Sequence, residues 1–294
     1  MLVTGGRGRL AALIADYFRA PDHAAQLYSR QGGPGFHTID ELFDPNHLPG
    51  HGTILHLAWS TLPASAEQEP DAAAGRDLPL LERLLSALAA QPASRRSHLV
   101  FFSSGGAVYG NAPGRPNRED DPCRPVGRYG QAKLAAEQRV ADAVKKHDLP
   151  CAVLRISNPY GYPVPSGRVQ GVIPHAIRAA VEGRPLPLWG DGQARKDFLY
   201  HTDFLSALRE VVDRRLTGTF NLCAGESHSV REVLASVETH TGRKIATTTT
   251  PALAWDVHDS RLDNRKFVEA TGWKPQVSLD EGIRRAVAGF LDHA

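Results

Sequence analysis

The sequence predicts an α/β protein, a doubly wound parallel sheet with a smaller C-terminal α/β lobe, on three observations. Apolar runs alternate along the chain with stretches whose apolar residues recur at helical spacing, the pattern of strand–helix–strand units. The first run turns through glycines straight into a helix, Met1-Leu2-Val3-Thr4-Gly5-Gly6-Arg7-Gly8-Arg9-Leu10-Ala11. A later run, Phe101-Phe102-Ser103-Ser104, opens into Gly105-Gly106-Ala107-Val108-Tyr109-Gly110 and precedes a helix bearing Tyr129 and Lys133. At 294 residues the chain can form one full α/β core and an appended lobe.

The glycines after the first strand allow a tight turn and let the backbone around Gly5, Gly8, Arg9 and Leu10 approach a pyrophosphate at the helix start. Ala11 stands where a third glycine is usual, and only a small residue is needed there for helix-on-strand packing. The second strand, about Ala24 to Ser29, ends where an acidic residue would select NAD and a cation would accommodate the 2′-phosphate of NADP. Ser29-Arg30 occupies that place and favours NADP, the alternative being a solvated loop arginine. Asp40 is a candidate for the adenine amino group, or else a helix cap.

Thr53-Ile54-Leu55-His56-Leu57-Ala58-Trp59 reads as a third buried strand, with Leu57 and Ala58 where the chain passes under a cofactor and His56 as a core histidine. Asp77 to Leu85 shows helical spacing. Cys151 to Ile156 reads as another strand, ending at Ser157-Asn158-Pro159-Tyr160-Gly161, and Gln170-Gly171-Val172-Ile173-Pro174 leads into a helix from His175 to Val181. After the turn at Gly190-Asp191-Gly192, the adjacent Arg195 and Lys196 form either a clamp for a diphosphate or ordinary charge on an exposed hairpin. A helix from Ala207 to Asp213, a strand from Thr219 to Cys223 and a helix from Val230 to Glu238 follow. Ser278, with Glu281 three residues on, opens a terminal amphipathic helix in a capping-box pattern.

Composition excludes several classes. Hydrophobic content of 41%, charged content of 22% and a net charge of +2 are ordinary for a soluble domain and show no basic excess of the kind nucleic-acid binding requires. Three separated cysteines and scattered histidines give neither a disulfide framework nor a metal site. With no apolar run of membrane length and no leader at the N-terminus, a cytoplasmic protein is expected.

Tyr129 and Lys133 lie four positions apart, on one face of a helix. An ammonium beside a phenol favours the phenolate, which makes the tyrosine a base able to move a proton on and off a hydroxyl. A half-buried tyrosine beside a solvated lysine is the alternative, and the pair alone does not decide between them.

The wider series of motifs does. Thr4-Gly5-Gly6-x-Gly8, His56-Leu57-Ala58, Ser103-Ser104-Gly-Gly-x-Val108-Tyr109-Gly110, Tyr129-x-x-x-Lys133, Ser157-Asn158-Pro159-Tyr160-Gly161, Gly171-Val172-Ile173-Pro174, Gly190-Asp191-Gly192 and Lys196-Asp197-Phe198 occur in this order. In that combination the chain resembles the extended short-chain dehydrogenase/reductases, in their nucleotide-sugar epimerase/dehydratase branch. The resemblance implies a Rossmann-type dinucleotide-binding domain over 1–157, completed by 199–222, and a nucleotide-sugar-binding lobe over 158–198 and 223–294. It implies bound NADP or NAD, with Gly5, Gly8, Arg9, Leu10, Ser29, Arg30, Asp40, Leu57, Ala58, Ser103, Tyr129 and Lys133 as cofactor contacts.

By the same resemblance Tyr129 takes a proton from a sugar hydroxyl, Lys133 tunes it and holds the nicotinamide ribose, and Asn158, Val172 and Lys196 meet the substrate diphosphate. Arg195 and Asp256 complete the expected substrate contacts, and a homodimer through the Leu78–Ala89 and Leu134–Val144 helices is expected. The chain departs from the family in several places. Gly105 falls where a catalytic Ser or Thr is usual, leaving Ser104 as the nearest hydroxyl, and Ala107 stands where Thr is frequent. Lys196 replaces an arginine and Asp77 an asparagine. Glycine and alanine where dehydratases carry an acidic pair disfavour a dehydratase, so a 4-epimerase is expected. A reductase of a nucleotide-linked 4-keto sugar and a non-catalytic dinucleotide-binding protein are the alternatives.

Overall fold

In the computed structural model, which describes residues 1–20, 24–43, 48, 50, 52–112, 114–162 and 171–292, the opening apolar run forms β1 (Leu2–Thr4), buried along its whole length. A parallel strand covered on both faces has no polar side to show to water, so it reads as a continuous apolar run. Glycines carry the chain into α1 (Arg9–Tyr17), then come β2 (Gln26–Ser29), β3 (His37–Thr38) and β4 (Thr53–His56). A short α2 (Pro63–Gln68) leads through a π-helical turn at Ala73–Asp77 into α3 (Leu78–Ala90). Next are β5 (His98–Ser104), α4 (Gly105–Val108), α5 (Arg128–His147) and β6 (Cys151–Ile156).

The second half of the chain adds β7 (Asn158–Tyr160), α6 (Val172–Glu182), β8 (Leu186–Trp189) and β9 (Arg195–Tyr200). It continues with α7 (His201–Asp213), β10 (Gly218–Leu222), β11 (Ser227–Ser229) and α8 (Val230–Thr241). The chain then forms β12 (Thr247–Thr250), β13 (Asp259–Ser260), α9 (Arg265–Thr271) and α10 (Leu279–Leu291).

Seven strands form one sheet in the order β10-β6-β5-β4-β1-β2-β3. β1 pairs in parallel with both β2 and β4, and β2 with β3 and β4 with β5 are parallel as well. Strand order therefore reverses at β1, and in doubly wound sheets the crevice at such a switch point is where ligands bind. Leu2, Tyr28, Ile54, Phe101 and Val153 of the sheet pack with Leu81, Leu84 and Leu88 of α3 and Ala136 and Val140 of α5.

The chain divides into two compact units, 1–104 with 128–155 and 208–220, and 105–127 with 156–207 and 221–294. Compared with the boundaries expected from sequence, residues 105–127 and 199–207 fall in the second unit, together with 156–157 and 221–222. The first of these segments packs Val108 and Tyr109 against Cys223 and Leu262, and Asn117 bridges Leu262. The second continues β9, which lies in a four-stranded sheet with β7, β11 and β13. A separate core of Tyr160, Ile173, Ile177, Phe198, Val233 and Ile283 holds this unit together.

Helix ends depart from the expectations by a few residues. α6 starts at Val172 rather than His175, since Pro174 is tolerated in a first turn where its missing N–H has no partner to lose. α7 starts at His201, six residues before the expected Ala207, with Phe204, Leu205 and Leu208 buried. Ser278 accepts from Glu281 N at 3.3 Å, but the Glu281 carboxylate turns to Arg284 and Arg285, so only half of a capping box forms there. Leu78, Leu81, Leu84, Leu85 and Leu88 of α3 are core residues, and its outward Glu82 pairs with Arg139 of α5 at 2.5 Å.

Two buried histidines give the fold a pH signature. His56 Nδ1 lies 3.0 Å from Thr4 Oγ1, and His98 Nε2 donates to Leu216 O at 2.7 Å. Burial pulls their pKa values down from 6.5, to about 3 for His56 and about 4 for His98. As pH falls below 6.5 the unfolded chain takes up these protons first, so the stability each neutral ring contributes is lost as pH drops towards its folded value. In a ring-nitrogen NMR titration both imidazoles should remain neutral at pH 5.5, where exposed histidines are charged.

Candidate active site

Within the first unit, the glycine turn is shaped by close backbone approach at the switch point. Gly5 has φ +71°, and a Cβ there would lie 2.9 Å from Ala58 N. A Cβ on Gly6 would lie 2.9 Å from Leu27 Cβ, and one on Gly8 3.0 Å from Gly5 O. Thr4 Oγ1 accepts from Ala58 N at 3.1 Å and ties the ends of β1 and β4 together. Leu57 and Ala58 are thus brought against the glycine turn.

The start of α1 has no side-chain cap, and its first residue is a cation, Arg9, where the helix dipole prefers an anion. Arg9 Nη1 is buried without a hydrogen-bond partner among the described residues. A pyrophosphate at this helix start would satisfy the free N–H groups of the first turn and the guanidinium together, so these residues fit a dinucleotide.

At the end of β2 the Ser29 hydroxyl donates to Gln31 O at 2.5 Å, and Arg30 is exposed with no partner among the described residues. Arg7 reaches the same loop from the glycine turn, donating to Gln31 O at 3.2 Å and Gly32 O at 3.1 Å. Asp40 is exposed and pairs with Arg83 at 3.1 Å. Of its two sequence readings the cap falls away: Thr38 and Glu41 exchange the cap bonds, at 3.0 Å and 3.4 Å.

Tyr129 is the second residue of α5 and Lys133 the sixth. Lys133 Nζ donates to Phe102 O at 2.8 Å and lies 3.8 Å from the centroid of the Trp59 ring. The Tyr129 ring centroid is 5.9 Å from the ammonium. Burial, then the carboxylate of Asp77, push the Tyr129 phenol above its ordinary value, and the expected depression by the lysine is not found. The reason is geometric, since the ammonium is bonded to a carbonyl and an indole face instead of the phenol oxygen. Burial pulls Lys133 down to about 7, against the opposing pull of Asp77 and Glu137.

Ser103 and Ser104 lie on opposite faces of β5. The Ser103 hydroxyl donates to Glu137 Oε1 at 2.5 Å, and Glu137 pairs with Arg155 at 2.7 Å, both side chains being nearly inaccessible. That hydroxyl is committed inside the fold, which leaves only the backbone of Ser103 free for a ligand. Ser104 ends the strand with no hydrogen-bond partner among the described residues.

Within the second unit, Asn158 Nδ2 donates to Asp197 O at 2.8 Å, and Val172 opens α6 behind Gly171 at φ +89°. Neighbours on a strand point to opposite faces, so Arg195 and Lys196 do not form one clamp. Arg195 Nε donates to Ser227 Oγ at 3.3 Å and its guanidinium lies 3.7 Å from Glu232. Lys196 Nζ pairs with Asp256 at 2.8 Å, which brings two predicted substrate residues together. Burial lifts the Asp197 carboxyl to about 6, against bonds from the N–H groups of Ala224 and Gly225 at 2.9 Å.

The sequence reading passed over Arg7 and Trp59. A cation inside the glycine turn was the available signal for Arg7; nothing in the local pattern marks Trp59. Among the described residues no group of His, Cys, Asp and Glu is arranged to hold a metal, and no helix is long and apolar enough to cross a membrane.

A glycine cradle at the switch point of a parallel sheet, beside a tyrosine and lysine one helical turn apart, defines a dinucleotide-dependent short-chain dehydrogenase/reductase. A family model described as the NAD dependent epimerase/dehydratase family matches residues 1–223, and the chain belongs to that family. It is 29% identical over 308 residues to the UDP-glucose 4-epimerase of Mycolicibacterium smegmatis, covering 98% of this chain and 97% of the relative. To the dTDP-4-dehydro-6-deoxyglucose reductase of Escherichia coli it is 28% identical over 190 residues, 64% of this chain and 60% of that one. The solved UDP-glucose 4-epimerase of Thermus thermophilus in complex with NAD superposes with a TM-score of 0.87 at 26% identity, covering 100% of this chain and 99% of that one.

Proposed function

We propose that this chain is a nucleotide-sugar 4-epimerase in which Tyr129 moves the proton of a sugar hydroxyl. The observation that carries the reading is the presence, in one compact unit, of the glycine cradle at the β1/β4 switch point and the Tyr129–Lys133 pair. A nicotinamide dinucleotide bound in that cradle would supply hydride chemistry. Tyr129 takes the hydroxyl proton and returns it, and the Lys133 ammonium stands one helical turn away, 5.9 Å from the Tyr129 ring centroid. Ser104 is the nearest hydroxyl in place of the glycine at 105, and Lys196 offers a point charge to a substrate diphosphate. Near-complete coverage of the mycobacterial 4-epimerase supports epimerisation over the partial match to the reductase.

The direct test is incubation of the purified protein with UDP-glucose in the absence of added reductant, with the C4 epimer as the expected product. A clean failure across UDP-, dTDP- and GDP-hexoses would rule the reading out. The solution state expected with it is a homodimer.

One observation favours a second reading, an NADP-dependent reductase of a nucleotide-linked 4-keto sugar. No acidic residue ends β2, and Arg30 and Arg7 both stand at that loop. Under this reading Arg30→Asp should lower affinity for NADP relative to NAD by about tenfold or more, the loss of one charge-assisted phosphate contact. Fluorescence titration with each dinucleotide measures the ratio, and an unchanged ratio removes Arg30 from cofactor selection.

A further inference from the structure

The Lys133 ammonium has a defined set of neighbours. It is 4% exposed, bonded to Phe102 O at 2.8 Å, and 3.8 Å from the Trp59 ring centroid, with Phe101 farther off at 5.2 Å. Trp59 is itself held from two sides. Its ring meets Phe101 edge-on at 6.5 Å. Its neighbour Ser60 donates through N and Oγ to the two carboxylate oxygens of Asp77, each at 2.9 Å. Asp77 is the last residue of the π-helical turn ahead of α3.

We propose that Trp59 is a positioning residue for Lys133: the indole face holds the ammonium on the Phe102 carbonyl, and the clamp of Asp77 on Ser60 holds the indole. The functional part rests on Tyr129 and Lys133 being the catalytic pair; the placement does not. An indole is the strongest aromatic face for a cation, and the attraction grows where water is excluded. The other ionisable groups around the ammonium are Asp77 and Glu137, which favour the charge, the phenol of Tyr129, and His56, which burial keeps neutral. Removing the ring withdraws a stabiliser of the charged form, so Lys133 then loses its proton at lower pH.

Two measurements on the full chain test this. The first needs no substrate: the emission of Trp59, taken as wild type minus Trp59→Phe, is followed from pH 6 to 9. It should titrate once, near neutrality, and the transition should vanish in Lys133→Met. The second is the pH dependence of kcat with the sugar nucleotide. Trp59→Leu should move the alkaline limb down by about one pH unit, a tenfold change in the ionisation equilibrium, with KM changed by less than about threefold. Trp59→Phe, which keeps a weaker face, should shift it less, and carries the test alone if the leucine variant does not fold.

An emission difference that ignores pH, or that titrates unchanged in Lys133→Met, overturns the proposal, as does a Trp59→Leu profile superimposable on that of the wild type. A lysine-dependent emission transition in a protein without turnover on any sugar nucleotide would uphold the placement and remove the epimerase reading.

Discussion

Tyr129→Phe is expected to lower kcat by about 10²–10⁴-fold, the range over which positioned proton transfer contributes, while leaving the fold intact. The second part follows from the surroundings of the phenol oxygen. It makes no hydrogen bond among the described residues, so its removal strands no buried partner. The ring stays in place at the start of α5, 5.9 Å from the Lys133 ammonium. Thermal melting should match wild type, so that a loss of turnover does not report on a loss of fold. Undiminished epimerisation by the phenylalanine variant would take the proton-transfer role away from Tyr129. A dinucleotide-binding protein without catalysis would show no turnover in either form.

Much of the first unit is legible because its constraints are local. Only glycine accepts φ +71° with the Leu57–Ala58 backbone 2.9 Å from where a Cβ would stand, so Gly5 carries its meaning in one letter. The buried strands announce themselves as apolar runs, and the Tyr129/Lys133 spacing fixes a shared helix face. What escapes the sequence depends on pairing across distance. Arg195 and Lys196 look like a double cation until β9 is known to be a strand, which sends them to opposite sides, one to Ser227 and the other to Asp256. The phenol of Tyr129 is raised by burial and by the Asp77 carboxylate, and the lysine does not offset them because it turns to Phe102 and Trp59, partners contributed by two other strands and their loops. One miss was avoidable: Ser229 and Glu232 form a complete capping box at the start of α8, and the Ser-x-x-Glu pattern is plain in the sequence.

Lys133→Met should abolish turnover and stabilise the protein, an opposition that follows from the cost of burying an ammonium. Burial brings the folded pKa from 10.5 to about 7 even with Asp77 and Glu137 nearby. Between those values the unfolded chain holds a proton that the folded chain has lost, so stability rises with pH through that window. Below about pH 7 the full penalty of the charged form applies, roughly 3–5 kcal/mol on the basis of 1.36 kcal/mol per pH unit. Methionine removes that penalty and fills the space with a flexible apolar chain, but leaves Phe102 O without its donor, a cost of about 1–2 kcal/mol. A net gain of about 1–4 kcal/mol is expected in urea unfolding at pH 6.5, falling to about zero at pH 9.5, where the wild-type amine is already neutral in the fold. A variant less stable than wild type at pH 6.5, with the same deficit at pH 9.5, would mean that the ammonium is not desolvated as the structure has it. The stability forgone at this residue is then the physical condition for a lysine near neutrality beside the tyrosine.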